Sequence, residues 1–400
     1  MPRISKSASL IPASAIRMLT PFADKAKADG VKVYHLNIGA PDIKSPETAL
    51  EALADFKFDH LPYSNSAGTL DLRKALVEKY YRKVGIDVCE DDIIVTTAGS
   101  EALSFFFHAA CDPGDEVLAM EPYYCNYNTL ARMNGVAIRP VHTDIRDSFA
   151  LPSSEEIEKH ITPATKAILI CNPSNPTGAL YTKEEILAIG DICRRHDIFL
   201  VSDEAYREFC YTDDPYFSVM QIPGLENNAI LVDSASKRYN LCGARIGAMV
   251  SKNKDFMALV LKFAQARLCP PVLGQIASAG AIDTDDSYFK AVRKEYIARR
   301  DFTIDALNGI PGVFSPKPMG AFYTVAELPV DDAAVFCKWL LTDFRLDGET
   351  VMLTPAEPFY STPMQGRNQV RVAYVLEIPA LRRAMHILEK ALETFNKVQL

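Results

Sequence analysis

Short, uniformly apolar runs alternate along the chain with segments whose apolar residues recur every three or four positions. The runs at 93–97, 116–120, 167–171, 199–202 and 230–232 predict strands, and 167–171 is apolar on both faces. Runs of this length predict strands covered on both sides. The periodic segments between them predict helices, one over 100–110 and one opened by Thr182-Lys183-Glu184-Glu185, a capping box. Asp112-Pro113-Gly114-Asp115 predicts a turn between two of these elements. Buried strands separated by helices predict an α/β fold with a mostly parallel sheet between helical layers. In such sheets ligands bind beyond the C-terminal strand ends.

The flanks differ from this middle. Pro2, Pro12, Pro21 and Pro41 divide the first forty residues into short pieces. Ser45-Pro46-Glu47 predicts a helix start with Ser45 as its cap. A helix follows over 70–83, stopped by Gly85. Late in the chain, a long charged helix over 286–307 leads to Pro311-Gly312, and Gly320-Ala321-Phe322-Tyr323 begins a shorter mixed pattern. The last helix is amphipathic, apolar at 381, 384, 385, 388, 391, 392 and 395, with Pro379 near its start. This organisation predicts an arm over 1–45, a large domain over 46–295 and a smaller α+β domain over 296–400 that packs with the arm.

Composition narrows the function. The 400 residues are 48% hydrophobic and 24% charged, the balance of a globular chain with a large core. Lys+Arg number 43 against 51 Asp+Glu, a net charge of −8. A nucleic-acid partner wants a basic face, so none is expected. A small anionic ligand needs only one or two local cations and stays open. No two of the nine cysteines are three apart, and no H-x-x-x-H or H-E-x-x-H occurs, so no metal site is expected. The cysteines read as small buried hydrophobes in a reducing compartment. No stretch of about 18 apolar residues is present, so no membrane span is expected. Pro12 and Arg17 break up any apolar region behind the basic N-terminus, and the expected location is the cytoplasm.

The predicted strand ends carry the chemistry. Run 93–97 leads into Ala98-Gly99-Ser100 at a helix start, and 167–171 into Asn172-Pro173-Ser174-Asn175-Pro176-Thr177-Gly178. Run 199–202 leads into Asp203-Glu204-Ala205-Tyr206. Run 230–232 leads into Asp233-Ser234-Ala235-Ser236-Lys237, with Gly243-Ala244-Arg245-Ile246-Gly247 beyond it. Neither G-x-G-x-x-G nor G-x-x-x-x-G-K-[ST] is present, which weighs against dinucleotides and nucleoside triphosphates.

The S-x-S-K-x5-G-x-R-x-G run, with N-P-x-N-P-T-G and D-E-x-Y in that chain order, resembles the class I/II aminotransferases, pyridoxal-phosphate (PLP) enzymes of fold type I. The resemblance extends from Leu36-Asn37-Ile38-Gly39-Ala40-Pro41-Asp42 to Arg371. It implies a large PLP-binding domain with a seven-stranded sheet, a small domain shared by the arm and the C-terminal part, and a homodimer with shared active sites. Lys237 is then the amine that forms the Schiff base with PLP, and Asp203 the partner of its pyridine nitrogen. Tyr206 and Asn175 correspond to the pair that binds its phenolic oxygen. The phosphate falls to Arg245, Ser234, Ser236 and the backbone of Gly99, Ser100 and Glu101 at a helix N-terminus. Tyr124 corresponds to the ring that stacks on the cofactor, where many relatives carry Trp. Tyr63 corresponds to a tyrosine that reaches the neighbouring subunit's phosphate. Arg371 corresponds to the arginine that forks the substrate α-carboxylate, with Gly39 leaving room beside it.

The implied activity moves an amino group from an L-amino acid to a 2-oxo acid in two half-reactions. Aspartate or a broad range of amino acids, with 2-oxoglutarate as acceptor, is the first expectation. Ser100 stands where bacterial enzymes that prefer aspartate often carry a lysine. Arg267 either meets a distal carboxylate or sits at a helix end on the surface. The alternatives are a C–S lyase of the same fold and, more remotely, a non-catalytic PLP-binding regulator.

Overall fold

The computed structural model describes residues 2–6, 8–57 and 59–398. The first strand, β1 (Lys32–His35), is not part of the central sheet. That sheet is built from β2 (Ile93–Thr96), β3 (Glu116–Glu121), β4 (Ala137–His142), β5 (Thr165–Cys171), β6 (Phe199–Asp203), β7 (Ala229–Ser234) and β8 (Gly247–Val250). Their order is β2-β8-β7-β6-β5-β3-β4, and every pairing is parallel except the two made by β8.

Alternation along the strands explains the continuous apolar runs. Ala167, Leu169 and Cys171 of β5 enter one apolar cluster, and Ile168 and Ile170 enter another on the opposite face. Val201 of β6 joins the first and Leu200 the second. These two strands thus bury both sides. β4 was not apparent from the pattern. It sits at the sheet edge, where Pro140 can be tolerated because no neighbour needs its missing N–H.

The C-terminal part holds β9 (Tyr323–Glu327), β10 (Glu349–Met352), β11 (Thr354–Pro355) and β12 (Gln369–Ala373). β11, β12 and β9 form an antiparallel sheet, and β10 pairs in parallel with β1. The arm is therefore tied to the C-terminal part by backbone hydrogen bonds. The expected division at 295/296 falls inside one continuous helix, Asp286–Asn308.

Two local expectations need correction. Ser45 does not cap the helix Glu47–Ala54; Pro46 occupies the cap, and the Ser45 hydroxyl donates to the Asn240 carbonyl at 2.9 Å. The helix expected over 70–83 is α-helical only over Leu70–Ala75, widens to a π-turn over Leu76–Tyr81 and ends at Gly85, whose φ is +76°. The capping box at Thr182 forms as expected: Glu185 N–H donates to Thr182 Oγ1 at 3.2 Å, and Thr182 N–H to Glu185 Oε2 at 2.6 Å. Among the described residues no helix is long and apolar enough to cross a membrane.

Candidate active site

A cavity of about 660 Å³ opens at the C-terminal ends of β5, β6 and β7. All the site residues named from sequence line it except Glu101 and Tyr63. Tyr63 is 78% exposed, so within this chain it is a surface residue. Glu101 turns away from the cavity. Its carboxylate accepts from Thr97 N–H at 2.7 Å and from Arg267 at 2.9 Å. Arg267 also donates to the Ser66 carbonyl at 2.9 Å and is half-buried. It is neither a surface arginine nor a lining residue of this chain's cavity.

Lys237 follows β7 directly, in the short helix Ala235–Arg238. Its Nζ donates to the Gly39 carbonyl at 2.7 Å and lies 3.5 Å from Cys242 Sγ. Gly39 is needed for a reason internal to the protein: a Cβ there would lie 1.5 Å from the Tyr323 hydroxyl oxygen.

Asp203 ends β6 and is buried on the cavity face. It accepts from the Tyr127 hydroxyl at 2.9 Å and from Ala205 N–H at 3.2 Å. Burial pushes its carboxyl above the ordinary range, and these hydrogen bonds offset that only in part. Among the described residues no cation lies within ion-pairing distance of it.

Arg371 is fully buried on β12, between the rings of Tyr323 (4.6 Å) and Phe359 (5.1 Å). It donates to Asn175 Oδ1 at 3.0 Å and to the Asn37 carbonyl at 2.5 Å, and its Nε has no partner. Asn175 Nδ2 donates to the Tyr206 hydroxyl at 3.4 Å, which meets the Tyr323 hydroxyl at 3.1 Å. Tyr124 lines the cavity with its hydroxyl held by Asn126 Nδ2 at 2.8 Å and its ring edge-on to Tyr127.

Around Gly99 the cavity forms a cup of groups that can donate to an anion. The helix Ala98–Ala110 starts here without a side-chain cap, leaving its first N–H groups free. A Cβ on Gly247 would lie 2.7 Å from the Ala98 carbonyl carbon and 2.8 Å from Gly99 N, so only glycine lets β8 reach this turn. Ser234 Oγ accepts from Ser236 N–H at 3.2 Å, while the buried Ser236 Oγ has no partner. Arg245, in the left-handed region at φ +56°, closes the rim.

These features fit PLP. An amine faces an uncompensated buried carboxylate, and an unpartnered hydroxyl, free amides and an arginine await a phosphate. The chain matches the family model for aminotransferase class I and II over residues 31–388. It belongs to the class I and II aminotransferases. It is 30% identical to the aspartate/prephenate aminotransferase of Thermus thermophilus over 99% of this chain and 98% of that protein. Its fold superposes on an aspartate aminotransferase from Thermus thermophilus crystallised with maleate, with a TM-score of 0.87 and 29% identity, covering 98% of this chain and all of the other. An alanine aminotransferase from Pyrococcus furiosus gives a TM-score of 0.89 at 32% identity, with the same coverage. The chain is a PLP-dependent enzyme that transfers an amino group between an amino acid and a 2-oxo acid.

Sequence reasoning missed Tyr127, Tyr323 and Asn37. Tyr127 stands one helical turn beyond Tyr123 and Tyr124 in a tyrosine-rich stretch. Tyr323 closes the Gly320–Tyr323 segment, and Asn37 sits two residues before Gly39. Asn37 and Tyr323 lay inside segments already singled out and Tyr127 just beyond Tyr124, but the partner of each is distant in sequence.

Proposed function

We propose that Lys237 bonds PLP and acts as the proton carrier of the reaction, with Asp203 against the pyridine nitrogen. PLP, when bound, supplies the electron sink for the Cα–H bond that breaks. Asp203, as an anion, would hold the ring nitrogen protonated. Tyr206 and Asn175 would hold the phenolic oxygen, and the Tyr124 ring would cover one face. Arg245, Ser234, Ser236 and the amides of Gly99, Ser100 and Glu101 would bind the phosphate. Arg371 would orient the substrate by its α-carboxylate, fixing which hydrogen meets the Lys237 amine. The observation that carries this reading is the convergence of buried Arg371 with Lys237 and Asp203 on one cavity.

The donor proposed is aspartate or a range of amino acids, with 2-oxoglutarate as acceptor. The names of the relatives support both ends of that range. The exposed ring of Tyr63 supports a homodimer in which it reaches the neighbouring site. The arm, a large PLP-binding domain and a small C-terminal domain are the proposed divisions, and the strand pairing of the arm with the C-terminal part supports grouping those two. Nine unpaired thiols support a reducing compartment, the cytoplasm.

The test is a single-turnover spectrum of the PLP-loaded enzyme with individual amino acids and no acceptor. Conversion of the cofactor to its amine form, with release of the matching 2-oxo acid, is expected. Ammonia release with the cofactor restored would mean a lyase. Lys237→Ala should abolish conversion; full activity in that variant would overturn the assignment.

A further inference from the structure

Four cations line the cavity, Arg17, Lys237, Arg245 and Arg371, and Asp203 is its one carboxylate among the described residues. Three of the cations have tasks in the proposed function. Arg17 has none. Its guanidinium has no hydrogen-bond or ion-pair partner among the described residues. The other arginine open to a substrate role, Arg267, is held by Glu101 outside the cavity. Ser100 offers no charge at the helix start.

The backbone around Arg17 is fixed although its side chain is exposed. The Ser14 carbonyl accepts from Arg17 N–H at 3.0 Å and Met18 N–H at 2.9 Å, which makes a turn. Ala15 is buried against Cys125 and Phe359, and Leu19 enters the main core. Between these anchors Arg17 faces the cavity mouth. The Ile16 carbonyl accepts from Asn37 Nδ2 at 3.2 Å, and the Asn37 carbonyl accepts from Arg371 at 2.5 Å. One asparagine therefore sets both arginines in a common frame.

We propose that Arg17 receives the second carboxylate of a dicarboxylic substrate, so that the site favours acidic amino acids and their 2-oxo acids. The inference rests on the reading of Arg371 as the partner of the α-carboxylate. A guanidinium can take the distal carboxylate through two parallel N–H donors. Because Arg17 is exposed, a neutral substrate leaves it hydrated, not buried and unpaired. Selectivity is therefore graded: neutral amino acids react more slowly and are not rejected outright.

The test measures the second-order rate of the first half-reaction for L-aspartate, L-glutamate and L-alanine, using PLP-loaded wild type, Arg17→Gln and Arg17→Lys. The wild type should favour the acidic donors over alanine. In Arg17→Gln that ratio should fall roughly 10- to 100-fold, and Arg17→Lys should recover part of it. A ratio unchanged in Arg17→Gln, whether the rates hold or fall together, overturns the proposal, as does a wild type that prefers alanine. A wild type that converts no donor overturns the aminotransferase reading of the site itself, a separate failure.

Discussion

Asp203 and Asp233 stand near the ends of adjacent strands, both buried, and meet opposite surroundings. Asp203, the last residue of β6, faces the cavity with Tyr127 and a backbone amide as its donors. Asp233, the penultimate residue of β7, points to the other face of the sheet. There it binds Arg238, lies 3.5 Å from Arg207 and accepts from the Tyr81 hydroxyl at 2.7 Å. Burial pushes both carboxyls up. At Asp233 the two guanidiniums outweigh burial and hold it below the ordinary range; at Asp203 burial prevails. A buried carboxylate with cations from its own chain is architecture. One without them is a standing demand for positive charge, which the pyridine nitrogen of PLP can meet.

The sharpest way to break this comparison is Asp203→Asn. The half-reaction rate should fall roughly 100-fold or more, while the cofactor-free protein should melt at the same temperature or higher, since a buried charge has been removed. A clear drop in that melting temperature would show that Asp203 is structural, like Asp233. The converse probe is Arg238→Met. Asp233 and Glu208 would lose a partner inside the protein, and unfolding should become easier by about 3–5 kcal/mol. A loss below about 1 kcal/mol would remove the distinction.

Glu204 gives the smallest and most graded effect. It is buried beside Arg207, and burial pushes it up to about 7 while Arg207 opposes the shift. A carboxyl that binds its proton more tightly when folded adds stability at low pH. That contribution is full below its ordinary value of 4.5 and is lost as pH rises through about 7. Melting temperatures at pH 5 and 8 should therefore fall less steeply in Glu204→Gln than in wild type. Parallel slopes would mean that Glu204 titrates normally.

Much of the cofactor end was legible because its residues follow directly after apolar runs. Asn175, Asp203, Ser234 and Lys237 each stand at or just beyond a strand that the pattern already marked. Linear order alone carried that information. The rest depends on contacts between distant segments. Tyr127 matters through Asp203, Tyr323 through Tyr206 and Gly39, and Asn37 through Arg371. Arg17 read only as an interruption of an apolar stretch until the fold brought it to the cavity mouth. β8 escaped notice because Gly247 both begins it and closes the anion cup, so a glycine-bearing motif masked a strand.

The pairing of β1 with β10 sets a timetable for the newborn chain. At typical elongation rates the partner of β1 emerges roughly 15 to 60 s after β1 itself. Throughout that interval β1 has an unsatisfied edge. Arg371 emerges later still, on β12. A ribosome that stalls after β8 has made Lys237, Asp203 and the helix start at Gly99, but not Arg371, the residue proposed to hold the α-carboxylate. The two ends of the cavity lining are thus made at different times, and only the finished polypeptide brings them together.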